Sequence, residues 1–103
     1  MMMTFGNRLK ALRIGKGMTQ RETAEMIGVD APMYNRYEHG ERMVRREKVG
    51  RLAECYGITE DELMKYWLAD RICSLLAYEH CAVDAIKIAS KEISRHDYKA
   101  KGY

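Results

Sequence analysis

An all-α fold is predicted for this chain of 103 residues, and three observations support the prediction. The chain contains only one proline, so little of it is barred from helical structure. The chain has no stretch rich in Val, Ile and Thr that alternates apolar with polar residues, as a half-buried strand would. Apolar residues recur instead every three or four positions, which is the period of an amphipathic helix. The length suits one domain, or one domain with a short appendage.

Two helices follow directly from this periodicity. The first is predicted over residues 4–16, where Phe5, Leu9 and Leu12 recur on one face. Residues 46–56 show the same spacing and form the fourth predicted helix. Glycines follow both segments, and glycine is a common stop signal for a helix.

The segment between these helices carries the most informative pattern of the chain. Thr19 and Glu22 have the spacing of a capping box, which opens a second helix. Gly28 permits a sharp turn, Asp30 caps a third helix, and Gly40 ends it. Two short helices joined in this way form a helix-turn-helix, whose second helix fits the major groove of DNA. The sequence therefore predicts a DNA-binding protein.

Beyond the fourth helix, the chain continues with further helical pattern. Thr59 and Glu62 form another capping box, which opens a helix that reaches about residue 78. A last helix covers roughly residues 81–95. These two helices carry an apolar stripe made of Ile72, Leu75, Leu76, Val83, Ile86, Ala89 and Ile93. The stripe either folds back on its own domain or forms a dimer interface, and we favour a homodimer because the extra apolar surface needs a partner.

The distribution of charge is more informative than the net charge of +3. Five cations between Arg8 and Arg21 are uninterrupted by acids, a second basic cluster runs from Arg36 to Arg51, and acids collect at residues 54–62. Such segregation favours a basic face that neutralises phosphates. A mixed, solvated surface is the alternative reading of the same charges.

Several classes of protein do not fit this sequence. No apolar run reaches the ~20 residues that span a membrane, and the start of the chain lacks a secretory leader, so a cytoplasmic protein is expected. The three cysteines lack paired spacing and are expected to be reduced thiols. Cys73, His80 and Cys81 match no structural zinc pattern, so no metal is expected. No catalytic constellation or phosphate-binding glycine loop is present, which argues against an enzyme and against a cofactor.

The central segment resembles the Xre-type helix-turn-helix family, the phage repressor and Cro-like regulators. The match runs from about Phe5 to Trp67. Its marks are Arg13, Thr19-Gln20, Ala24, Gly28-Val29-Asp30, Arg36-Tyr37-Glu38, Gly40, Leu52-Ala53 and Tyr56-Gly57-Ile58. The resemblance implies a five-helix, repressor-like DNA-binding domain over residues 4–67. A helical C-terminal extension over residues 68–98 is then the expected dimerisation element.

The resemblance also implies roles for individual residues. Base contacts are expected from the outward side of the third helix, at Ala31, Pro32, Met33, Asn35 and Arg36. Phosphate contacts are expected from the start of the second helix and from the basic loop and fourth helix, at Thr19, Gln20, Arg21, Arg42, Arg45, Arg46 and Lys48. Gln20 is also expected to brace the third helix. Arg13 and Glu38 are expected to form a structural ion pair that ties the first helix to the end of the third.

The start of the third helix departs from the usual family pattern. Ala31 and Pro32 replace polar residues, and neither side chain can form a hydrogen bond with a base edge. Direct readout would then rest on Asn35, which suits adenine, and on Arg36, which suits guanine. Arg36 fits a phosphate contact equally well.

Together these features predict a homodimeric regulator that binds a double-stranded DNA operator. The alternative is an antitoxin-like or other protein-interaction module, whose C-terminal helices bind a partner protein. An antitoxin tail is usually polar and disordered until it is bound, whereas this extension carries a helical apolar stripe, which favours the regulator.

Overall fold

A computed structural model describes residues 4–96. Helices account for all the regular structure in this range, which confirms the all-α prediction. They are α1 (Thr4–Gly15), α2 (Gln20–Ile27), α3 (Ala31–Glu38), α4 (Arg46–Tyr56), α5 (Glu60–Leu76) and α6 (Ala82–Arg95). The last two positions of the predicted C-terminal extension, 97 and 98, lie outside the described residues.

The predicted helix ends are present in α2 and α3. The Thr19 hydroxyl accepts the Glu22 N–H at 3.0 Å, and the Glu22 carboxylate accepts the Thr19 N–H at 2.8 Å. Gly28 is left-handed, with φ of 76°, and brings the Val29 N–H onto the Ala24 carbonyl at 3.0 Å. The Asp30 carboxylate accepts the Met33 N–H at 2.8 Å and so caps α3. These local contacts set the sharp angle between the two helices.

Helices α1 to α5 enclose one apolar core. Leu9, Tyr34, Val49, Leu52 and Leu63 are fully buried in it, one or two from each of four helices. Helix α1 packs against α3 and α5, and α4 packs against α2 and α5. The approach of α1 to the end of α3 requires glycine, because a Cβ at position 6 would overlap backbone carbonyl oxygens at the end of α3.

Helix α5 contacts the rest of the compact unit as far along as Asp70. The Trp67 indole N–H donates to the Val44 carbonyl at 2.7 Å, and the Asp70 carboxylate accepts the Phe5 N–H at 2.9 Å. Helix α5 runs without a break past the predicted boundary between residues 67 and 68, as expected from the single helix predicted to about residue 78.

Helix α6 contributes no buried residue to the structure. It begins after a turn in which Tyr78 has a positive φ of 70°, and it stands apart from the core of α1 to α5. Within residues 4–96, no helix combines the length and the apolarity needed to cross a membrane.

Candidate nucleic-acid interface

Helix α3 has one face in the core and one face at the surface. Tyr34 and Tyr37 are buried, whereas Pro32 and Arg36 are exposed. The other three predicted base-contact residues are half-buried: Ala31, Met33 and Asn35. Met33 also packs against the core, and Pro32 and Arg36 are the most accessible of the five.

A polar network lies behind this surface and joins three helices. The Arg13 Nε donates to Glu38 Oε2 at 2.7 Å, its Nη2 donates to Glu38 Oε1 at 3.1 Å, and its Nη1 donates to the Met18 carbonyl at 3.1 Å. The Gln20 amide donates to Glu38 Oε1 at 3.0 Å, and the Asn35 amide donates to Gln20 Oε1 at 3.1 Å. Arg13 and Glu38 thus form a bidentate pair, and Gln20 and Asn35 extend it toward the outer side of α3.

The electrostatics of this network favour the charged forms of both ionic partners. Burial raises the pKa of Glu38, but hydrogen bonds, the strongest from Arg13, lower it more, so that the pKa lies below its usual value. The hydrogen bond to Glu38 in turn raises the pKa of Arg13. A buried carboxylate beside a guanidinium is stable only while both remain ionised and paired.

The network constrains two residues whose predicted roles were contacts with DNA. Gln20 was expected at a phosphate and Asn35 at a base, yet their side-chain amides bind each other and, through Gln20, Glu38. A bidentate contact of Asn35 with adenine competes with its bond to Gln20. The resemblance implied the ion pair and a bracing role for Gln20, but the spacing of Gln20 and Asn35 says nothing about their contact across two helices.

Buried hydroxyl groups also hold α3 in place. The Tyr34 and Tyr56 hydroxyls are 2.5 Å apart, and the Tyr56 hydroxyl donates to the Thr23 hydroxyl at 3.1 Å. Burial raises the pKa of both tyrosines, so each phenol stays neutral and keeps its proton for hydrogen bonding. These bonds link α2, α3 and α4 through the centre of the core.

A basic groove runs beside the outer side of α3 and has a volume of about 400 Å³. It is lined by Val29, Asp30, Met33, Tyr37, Arg42, Met43, Arg45 and Lys48. Arg42, Arg45 and Lys48 therefore lie next to α3, although the Lys48 ammonium also donates to the Ile27 carbonyl at 3.2 Å. Arg46 lies apart from this groove, with its guanidinium 5.7 Å from the centre of the Trp67 ring.

The remaining predicted residues lie at the start of α2 and on the two last helices. Thr19 and Arg21 are both exposed, and the Thr19 hydroxyl is occupied by the α2 cap. In the predicted dimer stripe, only Leu76 is partly buried, whereas Leu75 is 78% exposed and Ile93 is 69% exposed. The stripe thus stays uncovered within residues 4–96, and it does not fold back on the core of α1 to α5.

Comparison with known proteins identifies the same segment. The family model described as helix-turn-helix matches residues 9–63, which is more than half of the chain. One relative is the SPbeta prophage-derived uncharacterized HTH-type transcriptional regulator YonR of Bacillus subtilis. It is 33% identical over 61 residues, which cover 59% of this chain and 56% of the relative. A second is the cryptic phage CTXphi transcriptional repressor RstR of Vibrio cholerae, 35% identical over 60 residues, which cover 58% and 54%.

The chain matches little more than half of the length of these relatives. Among solved structures, the clp gene regulator ClgR from Corynebacterium glutamicum has a similar fold. The TM-score is 0.59 at 20% identity, and the match covers 91% of this chain and 86% of ClgR. At this identity the likeness concerns the fold alone. The family model, the capped helix pair and the relatives agree, and the chain belongs to the Xre-type, phage repressor-like helix-turn-helix family of transcriptional regulators.

Proposed function

We propose that this protein binds a specific double-stranded DNA operator as a homodimer and thereby regulates transcription. The observation that carries the proposal is the basic groove beside the exposed side of α3. A helix of this kind enters the major groove while flanking cations hold the phosphates. The names of the phage relatives, a regulator and a repressor, support the same role.

Direct readout in this proposal depends mainly on Arg36. Its guanidinium is exposed and can donate two hydrogen bonds to the edge of a guanine. Ala31, Pro32 and Met33 offer apolar contacts, which suit the methyl group of thymine. Asn35 contributes through Gln20, because its amide holds the Gln20 side chain in position.

Phosphate contacts in this proposal come from two places around α3. Thr19, Gln20 and Arg21 lie at the start of α2, where the free N–H groups and the helix dipole attract an anion. Arg42 and Arg45 lie in the groove on the other side. Lys48 adds charge to the same groove, whereas Arg46 is the weakest candidate because it stacks on Trp67.

The proposed dimer forms through the apolar stripe of α5 and α6. On α6, Ala82, Ile86, Ala89 and Ile93 alternate by four and three residues, which is the spacing of a coiled-coil seam. A second copy of the chain offers the same apolar row in return, as a two-fold interface requires. Two copies of α3 would then read half-sites about 34 Å apart on one side of the duplex.

The second candidate function is a module whose C-terminal helices bind another protein, as antitoxin-like proteins do. The same uncovered stripe would then receive that partner instead of a second copy. A full-length chain that sediments as a monomer at micromolar concentration would favour this candidate over the homodimer.

Selection of bound duplexes from a random DNA pool tests the proposed function. We expect enrichment of an inverted repeat, with half-sites spaced by one helical turn. Selection with Arg36→Ala is expected to change the preferred bases at particular positions, because the exposed guanidinium would read them. Equal weakening on every sequence would show that Arg36 contacts phosphate only. A lack of any enriched sequence with the wild-type chain would contradict the proposal.

A further inference from the structure

A second concave site lies on the side of the core where α1, α5 and the α3–α4 connection meet. It is a cavity of about 270 Å³, with Phe5 and Gly6 at its α1 side, Val44 in the connection, and Asp70 and Ser74 on α5. Known ligand pockets begin at roughly this size. The cavity adjoins the groove beside α3 at Tyr37, Arg42 and Met43, but the proposed DNA contacts do not use its buried part.

Asp70 gives this cavity its chemical character. Its side chain is buried, with the residue only 6% exposed, and its Oδ2 accepts the Phe5 N–H at 2.9 Å. Its Oδ1 is also buried and has no hydrogen-bond partner among residues 4–96. A buried carboxylate oxygen without a partner is costly, because it has lost water and gained nothing in return. The positive end of α1 offsets part of the charge but does not occupy this oxygen.

We propose that this cavity binds a small zwitterion that has an ammonium group at one end and a carboxylate at the other. The ammonium donates to the free oxygen of Asp70, with the Ser74 hydroxyl on the same side of α5 one turn further along. The carbon chain lies against Phe5 and Val44. The carboxylate faces Arg42, a cation that also lines the cavity. Arg42 disfavours a diamine, because a second ammonium would meet a like charge.

Arg42 also lines the basic groove beside α3, so that this cation, together with Tyr37 and Met43, borders both sites. A ligand carboxylate that pairs with Arg42 draws the guanidinium away from the groove. We therefore expect the ligand to weaken DNA binding, and DNA to weaken ligand binding by the same factor. This coupling rests on the proposed function, whereas the binding site itself does not.

The binding test uses the full-length protein and four small probes that share a four-carbon chain. The probes are 4-aminobutyrate, n-butylammonium, butyrate and 1,4-diaminobutane, and binding is followed by the amide resonances of Gly6 and Ser74. We expect saturable shifts with 4-aminobutyrate, weaker binding of n-butylammonium, and no saturable shift with butyrate or the diamine. Failure of both monoammonium probes to saturate these resonances would overturn the proposal.

Variants show whether Asp70 is responsible for the binding. Asp70→Asn keeps an oxygen for the Phe5 N–H but loses the charge, and we expect at least about tenfold weaker binding of 4-aminobutyrate. Asp84→Asn, on exposed α6, removes the same charge elsewhere and is expected to bind as the wild type does.

Arg42→Gln is expected to abolish the preference for 4-aminobutyrate over n-butylammonium. If Asp70→Asn fails to fold, Ser74→Ala replaces it, and its affinity for 4-aminobutyrate is expected to be a few-fold lower than that of the wild type. The site is overturned if a folded Asp70→Asn binds 4-aminobutyrate with wild-type affinity. If Asp70→Asn does not fold, wild-type affinity of Ser74→Ala overturns it.

The coupling is measured separately, as operator affinity with and without saturating 4-aminobutyrate. Weaker operator binding in its presence is expected for the wild type and not for Arg42→Gln. If operator affinity is unchanged when the cavity is saturated with 4-aminobutyrate, the proposed coupling is wrong, but the proposed ligand site is not contradicted. A protein that binds the probe but no DNA would contradict only the proposed function.

Discussion

Glu38 is the residue on which the position of α3 most depends. It is 3% exposed, and its two carboxylate oxygens hold Arg13 from α1 and Gln20 from α2. One buried acid at the end of α3 therefore ties this helix to two others. Each partner would be left with unsatisfied donors if the carboxylate were lost, which makes the interaction costly to break.

Glu38→Gln is expected to lower the free energy of unfolding by about 2 kcal/mol, since the Arg13 guanidinium loses its counter-charge. Urea denaturation measures the change. Glu41→Gln, at an exposed position just beyond α3, is the matched control and should leave stability nearly unchanged. Equal stability of the two variants would show that the ion pair contributes little to the fold.

The same residue predicts a pH dependence of stability. The pKa of Glu38 in the folded chain lies below the value of 4.5 expected for the unfolded chain. The unfolded chain therefore binds more protons at acidic pH. The contribution of Glu38 is complete above pH 4.5 and is lost as the pH falls through its lower folded pKa. Urea titrations between neutral and acidic pH should show this loss in the wild type and a smaller one in Glu38→Gln.

Among the elements, the turn between α2 and α3 sets the angle of the helix pair. Its backbone depends on the left-handed conformation of Gly28, where a side chain would be strained although no atom lies near. Gly15, at the end of α1, also has space for a Cβ, but its φ is not positive, so that a side chain there would not be strained.

Alanine at these two glycines should therefore have effects of opposite sign. Gly28→Ala is expected to destabilise the fold by about 1 kcal/mol, because alanine pays for the left-handed conformation. Gly15→Ala is expected to stabilise it by roughly 0.5 kcal/mol through its helix propensity and its less flexible unfolded chain. Thermal unfolding of both variants checks the prediction, and a stabilising Gly28→Ala would contradict the turn geometry.

The connection from α3 to α4 is the element that should carry phosphate contacts. Arg45→Ala is expected to weaken binding to all DNA sequences and to reduce the slope of log affinity against log salt by about 0.9 for each Arg45 in the complex. Arg46→Ala is the neighbouring control and should change the slope much less, because its guanidinium lies over Trp67. Affinity measured over a salt series decides this, and identical slopes for Arg45→Ala and the wild type would exclude the contact.

At the scale of the whole molecule, α6 makes the chain less compact than its length requires. The Cα radius of gyration is 15.3 Å, whereas a compact domain of about 100 residues has roughly 13 Å. Apolar side chains along α5 and α6 remain in contact with solvent, which is unfavourable for a monomer. A second copy that covers the stripe would remove this cost.

Ile86→Glu is expected to raise the dissociation constant of the proposed homodimer by about tenfold or more, because the interface would bury an unpaired charge. Sedimentation of the full-length chain measures it. Ile88→Glu is the matched control on the same helix, since Ile88 is 71% exposed and lies on the side of α6 that carries Asp84 and Lys91. A chain that stays dimeric as Ile86→Glu would place the interface elsewhere.

The sequence by itself determined the helices, the capped turn of the helix pair and the family. These features depend on local chemistry, such as the bond of Thr19 to Glu22 or the left-handed backbone of Gly28, and neighbouring residues specify them. Tertiary structure alone decided that Asn35 and Gln20 bind each other, that Arg46 lies over Trp67, and that Asp70 is buried with one oxygen unpartnered among residues 4–96. Each of these depends on how separate helices approach in space, and residue spacing along the chain carries no information about that approach.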